Sequence, residues 1–334
     1  MSDVMLSFKF ILSLTKESIS IFKSTNDQLN PIHQMKIIIA AGTGFLGKNL
    51  EKYFTEKGNE VYILTRNPKQ KNELYWNAKT LGEWKKLLEN SDVLINLAGK
   101  SVDCRYTENN KKEIYNSRIE STKVLQQAID ECIHKPKIWL NASSATIYVH
   151  SEKQLNTEEN GIIGDDFSMN ICKSWENEFF KSETENLRKV ALRTSIVLGN
   201  NGGAFPKLKM LTKFGLGGKQ GRGNQNVSWI HIEDFCRAVE FIIEHENISG
   251  NINITAPHPL SNEEFMKKLR KEMKIPFGIN APVWQLEIAS IFLNTETELL
   301  LKSRNVYPEK LIKSGFKFSY STVESAFKNL LLSK

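Results

Sequence analysis

The chain has 334 residues, with 45 Lys and Arg against 38 Asp and Glu for a formal net charge of +7, and it is 40% hydrophobic and 25% charged. That length builds one large domain or two around a substantial core, and the balance excludes wholesale disorder, a collagen-like repeat or a long coiled coil. No run of 18 apolar residues occurs, so no transmembrane helix is expected. The four cysteines (Cys104, Cys132, Cys172, Cys236) stand far apart with no CxxC, which argues against a zinc site or a disulfide framework. A reducing, cytoplasmic setting is the expectation, with no metal centre.

Residues 1–34 read differently from the rest. Met5 to Leu14 is apolar but broken by Lys9, Asp3 precedes it, and no small-residue cleavage site follows, so it makes a poor secretory signal. The segment is expected to be a flexible extension or a short helix. With three Lys against two Asp and one Glu, it adds nothing to the net charge.

From Met35 the chain alternates strand and helix patterns. Lys36–Ala40 is a short apolar run of the kind buried on both faces of a sheet. A glycine turn follows, then helical spacing over Phe45–Lys57 and a second strand over Glu60–Leu64. Leu81–Leu88 suggests a helix, Asp92–Leu97 a strand, and Lys111–Ile133 a long amphipathic helix. Lys137–Asn141 is a strand, Phe167–Glu183 a helix, and Val190 opens another strand. After residue 200 comes a glycine-rich basic segment, Gly202–Gly223. Trp229–Ile232 follows, then a helix that Asp234 is expected to cap, and a last strand at Asn251–Ile254. The alternation predicts an α/β fold, a doubly wound parallel sheet of the Rossmann type. Residues 35–256 would form the sheet domain, with 200–227 contributing to a second lobe. Residues 257–334, punctuated by five prolines, would form a smaller, mostly helical C-terminal lobe.

The sharpest motif is Gly42-Thr43-Gly44-Phe45-Leu46-Gly47, a GxGxxG turn set between the first strand and the first helix. Glycine permits the tight turn and lets the backbone approach a pyrophosphate, while the helix N-terminus offers N–H groups and a positive dipole end. All six residues are therefore assigned to cofactor binding. An NAD site places Asp or Glu at the end of the second strand to hold the ribose hydroxyls. This chain has Thr65 and Arg66 there, and a guanidinium can pair with a 2′-phosphate. NADP(H) is expected over NAD(H).

Further segments extend the pattern: Asn96-Leu97-Ala98-Gly99, Ser143 to Tyr148, Ser117 to Thr122, Trp175-Glu176, Arg193 with Val197-Leu198-Gly199, Gly215 to Gly218, Ser228 to Asp234, Asn253 to Pro257, and Pro308 to Leu311 with Gly315-Phe316. With these the chain resembles the extended short-chain dehydrogenase/reductase superfamily. Within it, the resemblance is to an NAD-dependent epimerase/dehydratase-like group sometimes labelled "cell division inhibitor", over about residues 35–334. Such families usually carry Gly at the position of Ala41. The resemblance implies that Thr65 and Arg66 meet the adenosine phosphate and that Leu97, Ala98 and Gly99 line the groove. It also implies that Arg118 reaches the groove from the long helix, and that Arg193 to Val197 pass near the nicotinamide.

The superfamily's chemistry uses a Ser/Tyr/Lys device in which a tyrosine exchanges a proton with substrate while a serine holds the oxygen. Ser144 matches the serine. Counting on from it gives Met169 and Lys173 where Tyr-x-x-x-Lys is expected, and a register anchored on Trp175-Glu176 gives Ser168 and Cys172. Neither register holds a tyrosine. Ser144, Tyr148 and Lys173 are the candidate catalytic residues, with His150 another nearby acid or base. His231 reads as a structural strand-end group. Two functions remain open: an NADP(H)-dependent epimerase or oxidoreductase of a small molecule, and a non-catalytic dinucleotide-sensing regulator.

The excess charge is local. From Arg188 to Ile232 there are eight cations (Arg188, Lys189, Arg193, Lys207, Lys209, Lys213, Lys219, Arg222) and no Asp or Glu. With no nucleic-acid motif and no membrane segment, these cations point to an anionic small-molecule substrate. The oligomeric state stays open.

Overall fold

The apolar run Lys36–Ala40 forms strand β1, buried at every residue after Lys36. In the computed structural model, which describes residues 34–292 and 301–332, β1 stands inside a seven-stranded sheet. The expected short helix or flexible extension of residues 1–34 lies, up to residue 33, outside the described residues.

The other strands of the sheet are β2 (Glu60–Thr65), β3 (Glu73–Tyr75), β4 (Val93–Asn96), β5 (Ile138–Ser144), β6 (Arg188–Thr194) and β7 (Gly250–Ile254). Their spatial order is β7-β6-β5-β4-β1-β2-β3, and every pairing is parallel. The chain therefore runs outward in opposite directions from β1 and from β4. The crevice between their C-terminal ends is where open α/β sheets take ligands.

Helices α1 (Phe45–Glu56), α2 (Glu108–Asp130), α3 (Phe167–Phe180), α4 (Phe205–Lys213), α5 (Ile232–Glu244) and α6 (Asn262–Glu272) follow the strands. Val283–Phe292, Glu309–Lys313 and Val323–Leu332 form α7, α8 and α9. Two apolar cores organise the fold. One lies against the sheet and includes Ile38, Leu64, Trp76, Leu94, Trp139 and Phe179. The other joins Leu198, Phe205 and Trp229 to Phe265 and Leu269 of α6 and Phe327 of α9. Three residues before 232, Leu198, Phe205 and Trp229, thus join the core that holds the C-terminal helices.

Three local expectations change. Leu81–Leu88 is a 3-10 turn over Glu83–Leu87 instead of an α-helix, with only Trp84 of it buried. Strand β3 is present although its three residues carry no alternation; pairing of Ile63 with Glu73 and of Thr65 with Tyr75 makes it a strand. The cap of α5 is His231, whose Nδ1 accepts from the Glu233 N–H at 3.1 Å. Asp234 lies inside that helix, fully buried, and accepts the backbone N–H groups of Ser319 (2.9 Å) and Tyr320 (2.8 Å). It ties the C-terminal segment to the helix start.

Candidate dinucleotide and substrate site

The turn after β1 is shaped by two glycines that cannot carry a side chain. A Cβ on Gly47 would stand 2.2 Å from the Gly42 carbonyl oxygen, and one on Gly42 would stand 2.7 Å from Ile63 Cδ1. Gly44 differs, because a Cβ there would meet nothing within 4 Å. The space over Gly44 is open, α1 has no side-chain cap, and its first turn holds no acidic residue. The first N–H groups of α1 therefore face an uncovered cradle suited to a pyrophosphate. Ala41, where relatives of this turn usually carry Gly, sits at φ 57° in the left-handed region. Phe45, assigned to the cofactor on sequence, is gripped by a glycine socket: Cβ atoms on Gly199, Gly202 and Gly203 would lie 2.7, 2.8 and 3.2 Å from its ring or stem.

From this turn a cleft of about 700 Å³ runs along the C-terminal ends of β1, β2 and β4. Of the residues assigned to the cofactor on sequence, Thr43, Thr65, Arg66, Ala98 and Gly99 line it, with Ala41 beside them, whereas Gly42, Gly44, Phe45, Leu46 and Gly47 are not among its lining residues. Leu97 is half-buried, spends its N–H on the Ala40 carbonyl at 3.0 Å, and is not among the lining residues. Unanticipated walls come from Trp76, Asn77, Ala78 and Lys79 after β3, and from Glu113, Asn116, Ser117 and Glu120 of α2. The α2 stripe follows i, i+3, i+4, i+7 spacing, a signal present in the sequence that could have found it.

At one end of the cleft Thr65 is buried and Arg66 is exposed, with no carboxylate partner for Arg66 among the described residues. Lys79, across the rim, pairs with Glu120 at 3.2 Å. A turn accepting the Lys79 and Thr80 N–H groups on Asn77 Oδ1 (2.9 and 3.0 Å) holds this segment in place.

The catalytic candidates separate into exposed and sequestered groups. Ser144 ends β5 beside Thr194, half-buried; its Oγ accepts from the Thr146 N–H at 3.2 Å and donates to no protein group among the described residues. Lys173 is half-buried on α3 and pairs with no carboxylate there. Met169 fills the tyrosine register, buried, with its sulfur against Gly164, where a Cβ would come within 2.0 Å of it. Tyr148 is fully buried, and its hydroxyl donates to Asn253 Oδ1 (2.8 Å) and accepts from Arg193 Nη1 (2.9 Å). Burial raises its pKa despite the neighbouring guanidinium, so it stays neutral and occupied within the protein. His150 is exposed and accepts the Ser303 N–H at 2.9 Å.

Arg193 also turns inward. It forms a two-pronged pair with buried Glu176 (Nε–Oε1 2.9 Å, Nη2–Oε2 2.7 Å), and Ser143 donates to the same carboxylate at 2.6 Å. Burial opposes the guanidinium charge, but the Glu176 bonds and attraction outweigh it and hold its pKa above the ordinary value. Val197 is buried in a short strand paired with Ile230. Neither Arg193 nor Val197 is among the lining residues of the cleft. Both side chains expected at the nicotinamide end are buried, and the Arg193 guanidinium is spent on Glu176 and Tyr148. Arg118 is likewise off the lining, turned from α2 toward Trp175 of α3.

Comparison with known proteins places this arrangement. The NAD dependent epimerase/dehydratase family matches residues 37–255, and a domain of unknown function, DUF1731, matches residues 281–330. The chain belongs to the epimerase/dehydratase family. The epimerase family protein YfhF of Bacillus subtilis is 36% identical over 302 residues, 89% of this chain and 98% of that protein. An epimerase family protein of Staphylococcus haemolyticus is 33% identical over 89% of this chain and 99% of its own length. Among solved structures, the human epimerase family protein SDR39U1 with NADPH superposes with a TM-score of 0.80 at 27% identity, covering 89% of this chain and 99% of that one. A nucleoside-diphosphate sugar epimerase of Corynebacterium glutamicum gives 0.73 at 27% identity, covering 89% of this chain and 58% of that one.

Within this epimerase-family fold the basic stretch divides. Arg188 donates to the carbonyls of Ile242, Ile243 and Ile248 (2.8–2.9 Å), closing the C-terminal end of α5. Lys189 donates to the carbonyls of Phe179 and Ser182 (3.0 and 2.8 Å) at the end of α3, with burial lowering its pKa. These cations complement helix C-termini. Lys207 pairs with Asp103, and Lys219 stands 3.8 Å from Glu263. Lys209, Lys213 and Arg222 remain without a carboxylate partner among the described residues. The four cysteines are free thiols, and no group of His, Cys, Asp and Glu among the described residues is arranged to hold a metal. No helix among the described residues is long and apolar enough to cross a membrane.

Proposed function

We propose that the protein binds NADP(H) in this cleft and performs epimerase- or reductase-type chemistry on a small anionic molecule. The observation that carries the cofactor preference is Arg66, an exposed guanidinium with no carboxylate partner among the described residues, at the end of β2 where an NAD site would carry an acid. Thr65 beside it and Lys79 across the rim favour the same 2′-phosphate. When bound, NADP(H) supplies hydride donation or acceptance. The residues of the chain then divide the remaining work. Backbone N–H groups from Gly44 to Gly47 hold the pyrophosphate, Arg66 takes the 2′-phosphate, and the unspent Ser144 proton holds a substrate oxygen. Lys173, half-buried and without a carboxylate partner among the described residues, is the remaining candidate from the expected catalytic device. Lys209, Lys213 and Arg222, which have no carboxylate partner among the described residues, favour an anionic substrate. The setting is cytoplasmic, with no nucleic acid or membrane as partner.

A second reading rests on Met169, which cannot transfer a proton and is buried against Gly164. It favours a dinucleotide sensor without turnover. Isothermal titration with NADPH and NADH tests what both readings share: NADPH binding at least tenfold tighter than NADH is expected, and binding of neither overturns both. A turnover screen over carbonyl compounds and sugar nucleotides, with Ser144→Ala as control, separates them. Turnover lost in the variant supports the enzyme, and NADPH binding without turnover of any substrate supports the sensor. Charge reversal at Lys209 and Lys213 is expected to weaken binding of a turned-over anionic substrate and flatten its salt dependence.

A further inference from the structure

Among the described residues no carboxylate balances the charge of Arg118. Its Nη1 donates to the carbonyls of Ile114 (2.9 Å) and Lys100 (3.1 Å), and its guanidinium carbon lies 5.0 Å from the centre of the Trp175 ring. No carboxylate pairs with it among the described residues, and its Nε and Nη2 donate to no protein group there. Burial lowers its pKa, and only the Cys172 thiol and the Tyr106 phenol pull it back. Its counterparts are provided for: Arg193 has Glu176, and Arg188 has three carbonyls. Arg118 is half-buried; a guanidinium partly withdrawn from water without a counter-charge is unfavourable, and its planar fork matches a carboxylate or phosphate with two parallel bonds.

Its position is specific. The α2 residues that line the dinucleotide cleft are Glu113, Asn116, Ser117 and Glu120, and Arg118 stands off that stripe. Its guanidinium lies behind Gly99, where a Cβ would come within 3.1 to 3.3 Å of its atoms, and Gly99 itself lines the cleft. Cys172, which acts electrostatically on Arg118, belongs to the same buried cluster as Ala145, the residue after Ser144. The fork therefore lies directly behind the cleft wall at Gly99.

We infer that Arg118 receives the carboxylate or phosphate of the substrate and not a phosphate of the dinucleotide. The inference rests on the reading that the cleft holds NADP(H). It names the substrate class by its recognition: a small molecule with an anionic group that takes two parallel hydrogen bonds beside the carbon to be oxidised or reduced.

The test uses the full chain and the variants Arg118→Met and Arg118→Lys. One arm titrates NADPH by calorimetry; the other adds oxalate or inorganic phosphate to the NADPH-saturated protein, against sodium chloride at matched ionic strength, and reads thermal midpoint and the fluorescence of bound NADPH. NADPH affinity is expected to stay within about threefold in all three proteins. Oxalate or phosphate is expected to stabilise the wild type, at least tenfold more weakly in Arg118→Met, and to an intermediate degree in Arg118→Lys, which keeps the charge and loses the fork. Anion stabilisation that survives in Arg118→Met, or is absent from the wild type, overturns the inference. So does a tenfold loss of NADPH affinity in the variants without anion binding to the loaded wild type, which assigns Arg118 to the cofactor. If the wild type fails to bind NADPH, the cleft reading falls, and the same anion titration on the free protein decides Arg118 by itself.

Discussion

Gly47 approaches Gly42 so closely that a Cβ on it would lie 2.2 Å from the Gly42 oxygen and 2.4 Å from its Cα. Both partners are backbone, so nothing can rotate aside. Gly44, two residues past Gly42, has no protein atom within 4 Å of its would-be Cβ. The two glycines therefore serve different ends: Gly47 closes helix on turn, and Gly44 leaves room for a ligand. Gly47→Ala is expected to destabilise by about 3 kcal/mol or more, as overpacking against fixed backbone does. Gly44→Ala is expected to cost under about 1 kcal/mol, the loss in cap preference, yet to weaken NADPH binding at least tenfold. Thermal denaturation and calorimetric titration of the two variants, side by side, check the contrast.

Ala41 holds φ 57° while its methyl packs against the sheet core. A left-handed alanine carries roughly 1 kcal/mol of strain. Glycine would relieve it but would lose the methyl contact and pay roughly 0.5–1 kcal/mol in unfolded-chain entropy. Ala41→Gly is therefore expected to change stability by less than about 0.5 kcal/mol, whereas Ala41→Val, β-branched at positive φ, is expected to lose roughly 2 kcal/mol or more. Urea denaturation of both variants measures the difference.

The parts of the site that were legible in the sequence are local ones. The apolar run of β1, the glycine spacing of 42–47 and the start of α1 are contiguous, so periodicity and turn chemistry suffice to place them. Arg66 is legible for the same reason, standing one residue past an apolar strand. What escaped depends on pairing across long separations. Strand β3 exists through contact with β2, and the Trp76–Lys79 wall of the cleft comes with it. Tyr148 and Arg193 look like site residues in one dimension; Asn253, 105 positions beyond Tyr148, and Glu176 draw their polar atoms inward. The glycines at 199, 202 and 203 read as a loose loop, and only the seated Phe45 ring explains their spacing.

The chain of hydrogen bonds from Ser143 through Glu176, Arg193 and Tyr148 to Asn253 lies wholly inside the protein. Removing one member of the ion pair leaves the other charged and buried. Glu176→Gln or Arg193→Met is therefore expected to cost roughly 3–5 kcal/mol. Tyr148→Phe keeps the ring and gives up two hydrogen bonds, for about 1–2 kcal/mol. If Tyr148 only supports the framework, its phenylalanine variant keeps NADPH affinity and any turnover within about threefold after correction for the folded fraction. A hundredfold loss of turnover with unchanged NADPH binding would instead make Tyr148 the missing proton donor.

His231 ties stability to pH. It is buried, stacks on Tyr320 with ring centres 3.9 Å apart, and caps α5 through an Nδ1 that must be unprotonated to accept the Glu233 N–H. Burial lowers its pKa below the ordinary 6.5, outweighing the pull of Asp234 and Glu233 upward. In the window from 6.5 down to that lowered value the unfolded chain binds a proton that the folded chain refuses. Stability therefore rises with pH across the window and is lost as pH falls through it. The cap contribution, about 1 kcal/mol, is lost with the same proton. His231→Asn keeps a capping oxygen and removes the titration. Thermal midpoints from pH 7.5 to 5 are expected to fall less steeply in this variant than in the wild type. Parallel slopes in the two proteins would show that another group governs acid sensitivity.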